Sequence, residues 1–230
     1  MNHLLSLLQL SDPALPIGGY AHSAGLETYV QQEIVHDPAT AREWVTHILG
    51  TAIHYTDAAL LSLAYEATCD NNPTRLTELN ALAEALKLPR EIRESSRLLG
   101  RRLLAIFTPH LTQTNSTQPN PTPTPTAPAS PNPHYSIAFA WCAANLGIAL
   151  APTLTAFYYN AAAGMVTNCV KLIPIGQQDG QKILFSLHPL IGELTEKSIH
   201  PDEDLIGLCC PALDIRCMQH EQLYSRLYMS

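Results

Sequence analysis

Apolar positions along this chain repeat at the spacing of helices. From Pro38 to about Thr68, Ala41, Trp44, Val45, Ile48, Ala52, Ala59 and Leu63 recur at near-helical intervals and define one buried face. His47 and His54 share a side of that predicted helix, with Asp57 three residues further on. Two turns, about 10 Å along the axis, separate the histidines, so one ion cannot readily be held by both alone. Asn72-Pro73 opens the next helix, with proline in the tolerated first turn, and Leu76, Leu79, Leu82, Ala83 and Leu86 line its inner face. Pro89 breaks the pattern. A longer helix is predicted from about Arg90 to Phe107, burying Ile92, Ser96, Leu99, Leu103 and Ile106. Its other side carries Arg90, Arg93, Arg97 and Arg101. That stripe is either a solvated face, eased by Glu91 and Glu94, or a docking face for an acidic partner.

From Leu103 to Val170 the chain has no Asp, Glu, Lys or Arg. The first part of this gap, Thr112 to Pro133, is a Pro/Thr-rich low-complexity stretch that cannot bury apolar surface and is expected to be an extended, mobile linker or surface loop. The second part, Tyr135 to Val170, is apolar. A membrane span needs about 20 continuous apolar residues, whereas 137–151 is short, contains Asn145 and is followed by Pro152. Two helices in a bundle core fit better. The second of them, about Thr153 to Ile173, carries Asn160, Gly164, Asn168 and Lys171 at steps of four, four and three, a small and polar stripe that suggests close helix approach or a wet groove. Pro174 ends it, and residues 181–199 are read as one helix kinked at His188-Pro189. The start, MNHLLSLLQLSDP, has no basic n-region and is read as a short helix rather than a secretory signal.

The fold class that follows is all-α: a single-domain helical bundle of about eight to ten helices over residues 1–230, with 112–133 as a flexible insertion. A hydrophobic fraction of 46% is ample for such a core, and the net charge of −7 argues against a nucleic-acid partner. Six cysteines without a CxxC or a regular framework read as reduced thiols in a cytoplasmic protein.

The stretch Leu8 to Tyr29 differs from everything around it. Pro13, Pro16 and Gly18-Gly19 are loop chemistry, and they lead into a predicted helix start carrying His22, Ser23 and Glu27. These polar groups behind a Pro/Gly loop are candidates for function. AHSAG is no nucleophile elbow, since the first glycine is missing. The segment Gly176 to Lys182 is no phosphate loop, since GxxxxGK[ST] is not met.

Three motifs resemble those of the UreF family of urease accessory proteins. Ser11, Asp12, Leu15, Pro16, Gly18, His22, Ser23, Gly25, Leu26 and Glu27 match its N-terminal signature. Lys171, Pro174, Gly176, Gln177, Gly180 and Gln181 match an internal one. Pro211, Asp214, Met218, His220, Glu221, Tyr224, Arg226 and Ser230 match its ending, with Tyr228 where Phe is usual. The chain departs from the family at the Pro-rich insertion and at Cys209, Cys210 and Cys217, thiols that with His220 are weak candidates for a soft-metal cluster.

The resemblance implies an all-helical, dimeric, cytoplasmic accessory protein and not an enzyme. Its partners would be a UreG-type GTPase, a UreD/UreH-type scaffold and apo-urease. It would bind no cofactor stably: nickel would be in transit, and GTP would belong to the partner. Lys171 and Arg226 are candidates for a role in GTP hydrolysis by that partner. Gly18, His22, Ser23, Gly25, Glu27, Lys171, Pro174, Gln177, Gln181, His220, Glu221, Tyr224 and Arg226 are the expected partner-binding residues, with 211–230 as a partner-binding tail. His22, Glu27 and Lys171 are expected to share one polar surface. Two readings compete with this one: a small hydrolase using His22, Ser23 and Glu27, and a membrane hairpin at 137–170.

Overall fold

The computed structural model describes residues 2–116, 132–208 and 210–229. The leucine-rich start forms α1 (Asn2–Leu10), burying Leu10 and leaving Leu4, Leu5 and Leu8 exposed. After a loop and a 3-10 turn (Gly19–Ala21), the short α2 spans Leu26–Gln31. The sequence dictates the next start: Asp37 accepts the Thr40 N–H at 2.8 Å, the Thr40 hydroxyl returns to Asp37, and Pro38 sits in the first turn. That is α3 (Pro38–Ile48). It runs on without a break through a π-helical segment (Leu49–Ala58) into α4 (Ala59–Cys69).

The rest follows as α5 (Pro73–Leu86), α6 (Arg90–Ser116), α7 (Tyr135–Asn145), α8 (Leu150–Leu172), α9 (Gln177–Ser186), α10 (His188–Ile199) and α11 (Pro211–His220). The described residues contain no strand, and with α3 and α4 taken as one rod they make ten helices. The expected all-α bundle is what is found. Every residue from Ser136 to Ala143 is buried, so α7 is the core helix, packed against α4 and α6. Trp141 and Phe139 are the large side chains it contributes, each worth about 1.5–3 kcal/mol by burial. Tyr135, Phe139 and Phe157 close an aromatic cluster between α7 and α8.

Four expectations need correction. The helix after Pro89 does not stop at Phe107. It continues through Pro109 to Ser116, so the first residues of the predicted insertion are helical; residues 117–131 lie outside the described residues. His22 and Ser23 precede α2 rather than starting it, because His22 is extended and Gly25 turns the chain. Residues 181–199 are not one kinked helix: α9 ends at Ser186 and α10 begins afresh at His188 with Pro189 in its first turn. The arginine stripe is largely spent within the chain. Arg93 and Arg97 reach Glu84, Arg90 reaches Glu221, and Arg102 donates to the Ile17 carbonyl at 2.9 Å.

Three sets of buried polar groups pin the bundle. His54, on the π-helical segment, sits 2.9 Å from the Tyr158 hydroxyl and 3.0 Å from that of Ser198, and burial with Lys197 nearby lowers its pKa. His47 is exposed. Asp57 binds the buried Lys87 ammonium at 2.8 Å. His134, fully buried where the chain re-enters at α7, contacts Ser96 and Glu84; burial first and Lys87 second hold its pKa below the ordinary histidine value. Among the described residues no helix is long and apolar enough to cross a membrane, which removes the hairpin reading of α7 and α8.

Candidate functional site

The N-terminal and C-terminal motifs are one structure. Gly25 makes this possible: it holds φ +78°, a left-handed turn natural to glycine, and a Cβ there would stand 2.8 Å from the Cys217 sulfur and 3.2 Å from its backbone nitrogen. With only hydrogen at that point, α11 lies directly on the start of α2. The first turn of α2 then points Glu27 inward, where it is 5% exposed. His220, at the last turn of α11 and fully buried, places Nε2 2.9 Å from Glu27 and Nδ1 2.7 Å from Glu91 on α6.

Beyond α11 the chain folds back over this cluster. The Leu227 and Tyr228 N–H groups donate to the two oxygens of Glu27 at 2.7 and 3.0 Å, and the Met229 N–H donates to the Ala21 carbonyl at 2.8 Å. Arg226 donates to the remaining Glu91 oxygen at 2.6 Å, and Glu221 faces Arg90 at 3.5 Å. The buried bonds to the Glu27 carboxylate are the strong ones here, and the more exposed ion pairs add little. The tail is therefore held by its polar inner edge, with Tyr228 as the buried anchor. Tyr224, Leu227 and Met229 of the tail are exposed, as are Ile215 and Met218 of α11 and Tyr20 of the N-terminal loop.

The second feature is a groove of about 300 Å³ between the N-terminal loop and α8. Here the stripe on α8 finds its use. Asn160 donates to the Ser11 carbonyl at 2.8 Å and Asn168 to the His22 carbonyl at 2.9 Å, so the two amides tie the loop to the helix rather than each other. Between them Gly164 leaves open space, and Lys171 stands exposed at the rim. His22 lines the groove; burial, and then Arg102, lower its pKa against an opposing pull from Glu91. Ser23 also lines it, with its hydroxyl buried and without a hydrogen-bond partner among the described residues.

The expectation that His22, Glu27 and Lys171 share a surface is met by two of the three. His22 and Lys171 line the groove, while Glu27 lies in the His220 cluster and belongs to the tail. That separation, with no hydrogen bond on Ser23 Oγ, dismantles the hydrolase set of His22, Ser23 and Glu27. Pro174, Gln177 and Gln181 are exposed around the turn from α8 to α9, and Tyr224 is fully exposed. Gly18, at φ +88°, shapes the loop above Arg102.

The thiols are not gathered around an ion. Cys217 is buried beneath Gly25 with its pKa pushed up to about 12 by burial, and both His220 nitrogens are taken by carboxylates. Cys210 is partly buried, Cys209 lies outside the described residues, and among those described no group of three donors is placed to hold a metal. Sequence reasoning missed Glu91, which it treated as relief for the arginines, and the Leu227 and Tyr228 amides, for which no side-chain pattern could have pointed the way.

Comparison of the sequence with known proteins identifies its family. The UreF family model matches residues 35–188, which contains the internal motif and leaves the two terminal ones outside. Full-length relatives cover those as well. A protein of Haemophilus influenzae (strain ATCC 51907 / DSM 11121 / KW20 / Rd) named urease accessory protein UreF is 48% identical over 231 residues, spanning 100% of this chain and 97% of its own. Proteins of the same name from Actinobacillus pleuropneumoniae serotype 5b (strain L20) and Arthrobacter sp. (strain FB24) are 45% and 33% identical, each over 100% of this chain.

Proposed function

The chain belongs to the UreF family, an accessory protein of urease rather than an enzyme, and from that premise we propose that it is the adaptor of a nickel-insertion complex. In this reading it joins a UreG-type GTPase to a UreD/UreH-type scaffold on apo-urease, as a homodimer in the cytoplasm. Nickel passes through the assembly as cargo, and GTP stays with the GTPase.

The observation that carries the reading is the clasp at Glu27. It fuses motifs about two hundred residues apart in sequence into one face, polar beneath and apolar outside. A terminus usually frays unless something holds it, and here eight residues of irregular chain are held with tyrosine, leucine and methionine side chains facing water. Preordering a tail in this way lowers the entropy cost of docking. The scaffold is assigned to the tail, with Tyr224 and Leu227 as anchors.

The GTPase is assigned to the surface around Lys171 and the α8–α9 turn. Of the two cations suggested by sequence, Arg226 is committed to Glu91, whereas Lys171 has no ion pair among the described residues. Lys171 is therefore the residue assigned to act on GTP hydrolysis. Co-purification of the chain with both partner proteins, wild type against Lys171→Ala and against a Tyr224→Ala/Leu227→Ala pair, tests the assignment. Each variant should lose its own partner and keep the other, and loss of both or neither contradicts it.

A further inference from the structure

The groove between the N-terminal loop and α8 has features that protein docking does not require. Its floor is apolar, formed by Ile17, Ile48, Leu99 and Met165 among others. Its space is about 300 Å³. It lies at the small end of the range of small-molecule sites.

The polar groups are few and sit at one end. Ser23, 1% exposed, is among the lining residues, and its buried hydroxyl has no partner among the described residues. A buried hydroxyl left unpaired is a standing cost that a ligand oxygen would remove. Lys171 lies one turn beyond Asn168, and Asn168 holds the carbonyl of His22, the residue before Ser23. Lys171 and Ser23 are thus close in sequence to the two residues that this bond joins, and no carboxylate stands within ion-pair distance of Lys171 among the described residues. Asp12, the acid at the rim, already accepts the Ala14 N–H at 2.8 Å.

We propose that this groove binds a small amphipathic carboxylate, its apolar body on the floor and its charged end between Lys171 and the Ser23 hydroxyl. The ligand would wedge residues 12–24 against α8 and so fix the loop that bears the N-terminal motif. This goes beyond the adaptor reading and does not depend on it.

The test is calorimetric titration of the full chain with octanoate, octan-1-ol, octylamine and acetate. Octanoate should bind saturably at about 1 mM or tighter, and octanol about tenfold more weakly, the scale of one charge-assisted hydrogen bond. Octylamine and acetate should give no saturable heat. Lys171→Met should bring octanoate down to the octanol level and leave octanol unchanged. Gly164→Leu fills open space where nothing stands within 4 Å of the new Cβ, and should abolish both with an unchanged circular dichroism spectrum. Silence of octanoate overturns the proposal, and so does equal binding of octylamine or acetate, or full binding by Gly164→Leu. Capture of the partner proteins by unliganded wild type is measured alongside. Failed octanoate binding with intact capture sinks the groove alone, and failed capture with intact binding sinks the adaptor reading alone.

Discussion

Glu27→Ala is the perturbation whose consequences the structure fixes most closely. The carboxylate accepts three hydrogen bonds, from the His220 ring and from the Leu227 and Tyr228 amides, at 2.7–3.0 Å in a site 5% exposed. If the tail stayed in place, removing it would strand the His220 ring and two N–H groups, at about 1–3 kcal/mol for each group left unpaired. Lifting residues 222–229 off returns their amides to water and forfeits the burial of Tyr228, about 2 kcal/mol; the contact with His220, which belongs to α11, is lost either way. Undocking is the cheaper response, so the variant should fold with its tail undocked and its stability lowered by about 2 kcal/mol or more. Hydrogen exchange of the Leu227 and Tyr228 amides, read beside a urea midpoint, checks both parts. Arg226→Ala serves as the control, because its half-exposed pair with Glu91 is worth only about 0–1 kcal/mol. Unchanged protection of the two amides in Glu27→Ala would refute the reasoning.

Gly25→Ala forces a Cβ onto Cys217 at a left-handed φ; the strain alone costs about 1–3 kcal/mol, and the urea midpoint should fall accordingly, with near-wild-type stability contradicting the packing of α11 on α2. Burial holds the pKa values of His22, His54 and His134 down, aided by Arg102, Lys197 and Lys87 respectively. A lowered folded value means stability that is whole above the unfolded value of about pH 6.5 and is lost as pH falls through the folded values; urea midpoints between pH 8 and pH 5 should decline in that direction, and a flat profile would contradict it. Replacing residues 117–131 by a short Gly/Ser linker should leave urease activation intact, since each doubling of a loop changes closure by only about 0.6 kcal/mol; lost activation with the fold preserved would make the insertion a docking motif.

Local physics made much of the fold legible. The apolar face of α3 and the Asn72-Pro73 start are written in neighbouring residues and were read correctly from them; the Asp37-Pro38-Thr40 cap is equally local but was not read. The continuation of α6 through Pro109 was not, because the rule against interior proline is a local cost that the packing of Phe107 and Leu111 outweighs. The polar stripe on α8 announced itself by spacing, but its targets are the backbone carbonyls of Ser11 and His22, about 150 residues away. The clasp was the least readable. Glu27, His220 and Arg226 were visible as motif residues, yet the pairing of Glu27 with His220 exists only after α2, α6 and α11 have met, and two of the three donors to Glu27 are main-chain amides.

The central claim is that the docked tail is the scaffold's landing face. Biolayer interferometry of the immobilised UreD/UreH-type protein against wild type and the Tyr224→Ala/Leu227→Ala pair tests it most directly. Both side chains are exposed, so the fold and the Glu27 clasp should survive, as circular dichroism and amide exchange will report. Truncating two interface anchors should then weaken binding by about a hundredfold or more. Binding within about threefold of wild type, with the tail still docked, would contradict the account.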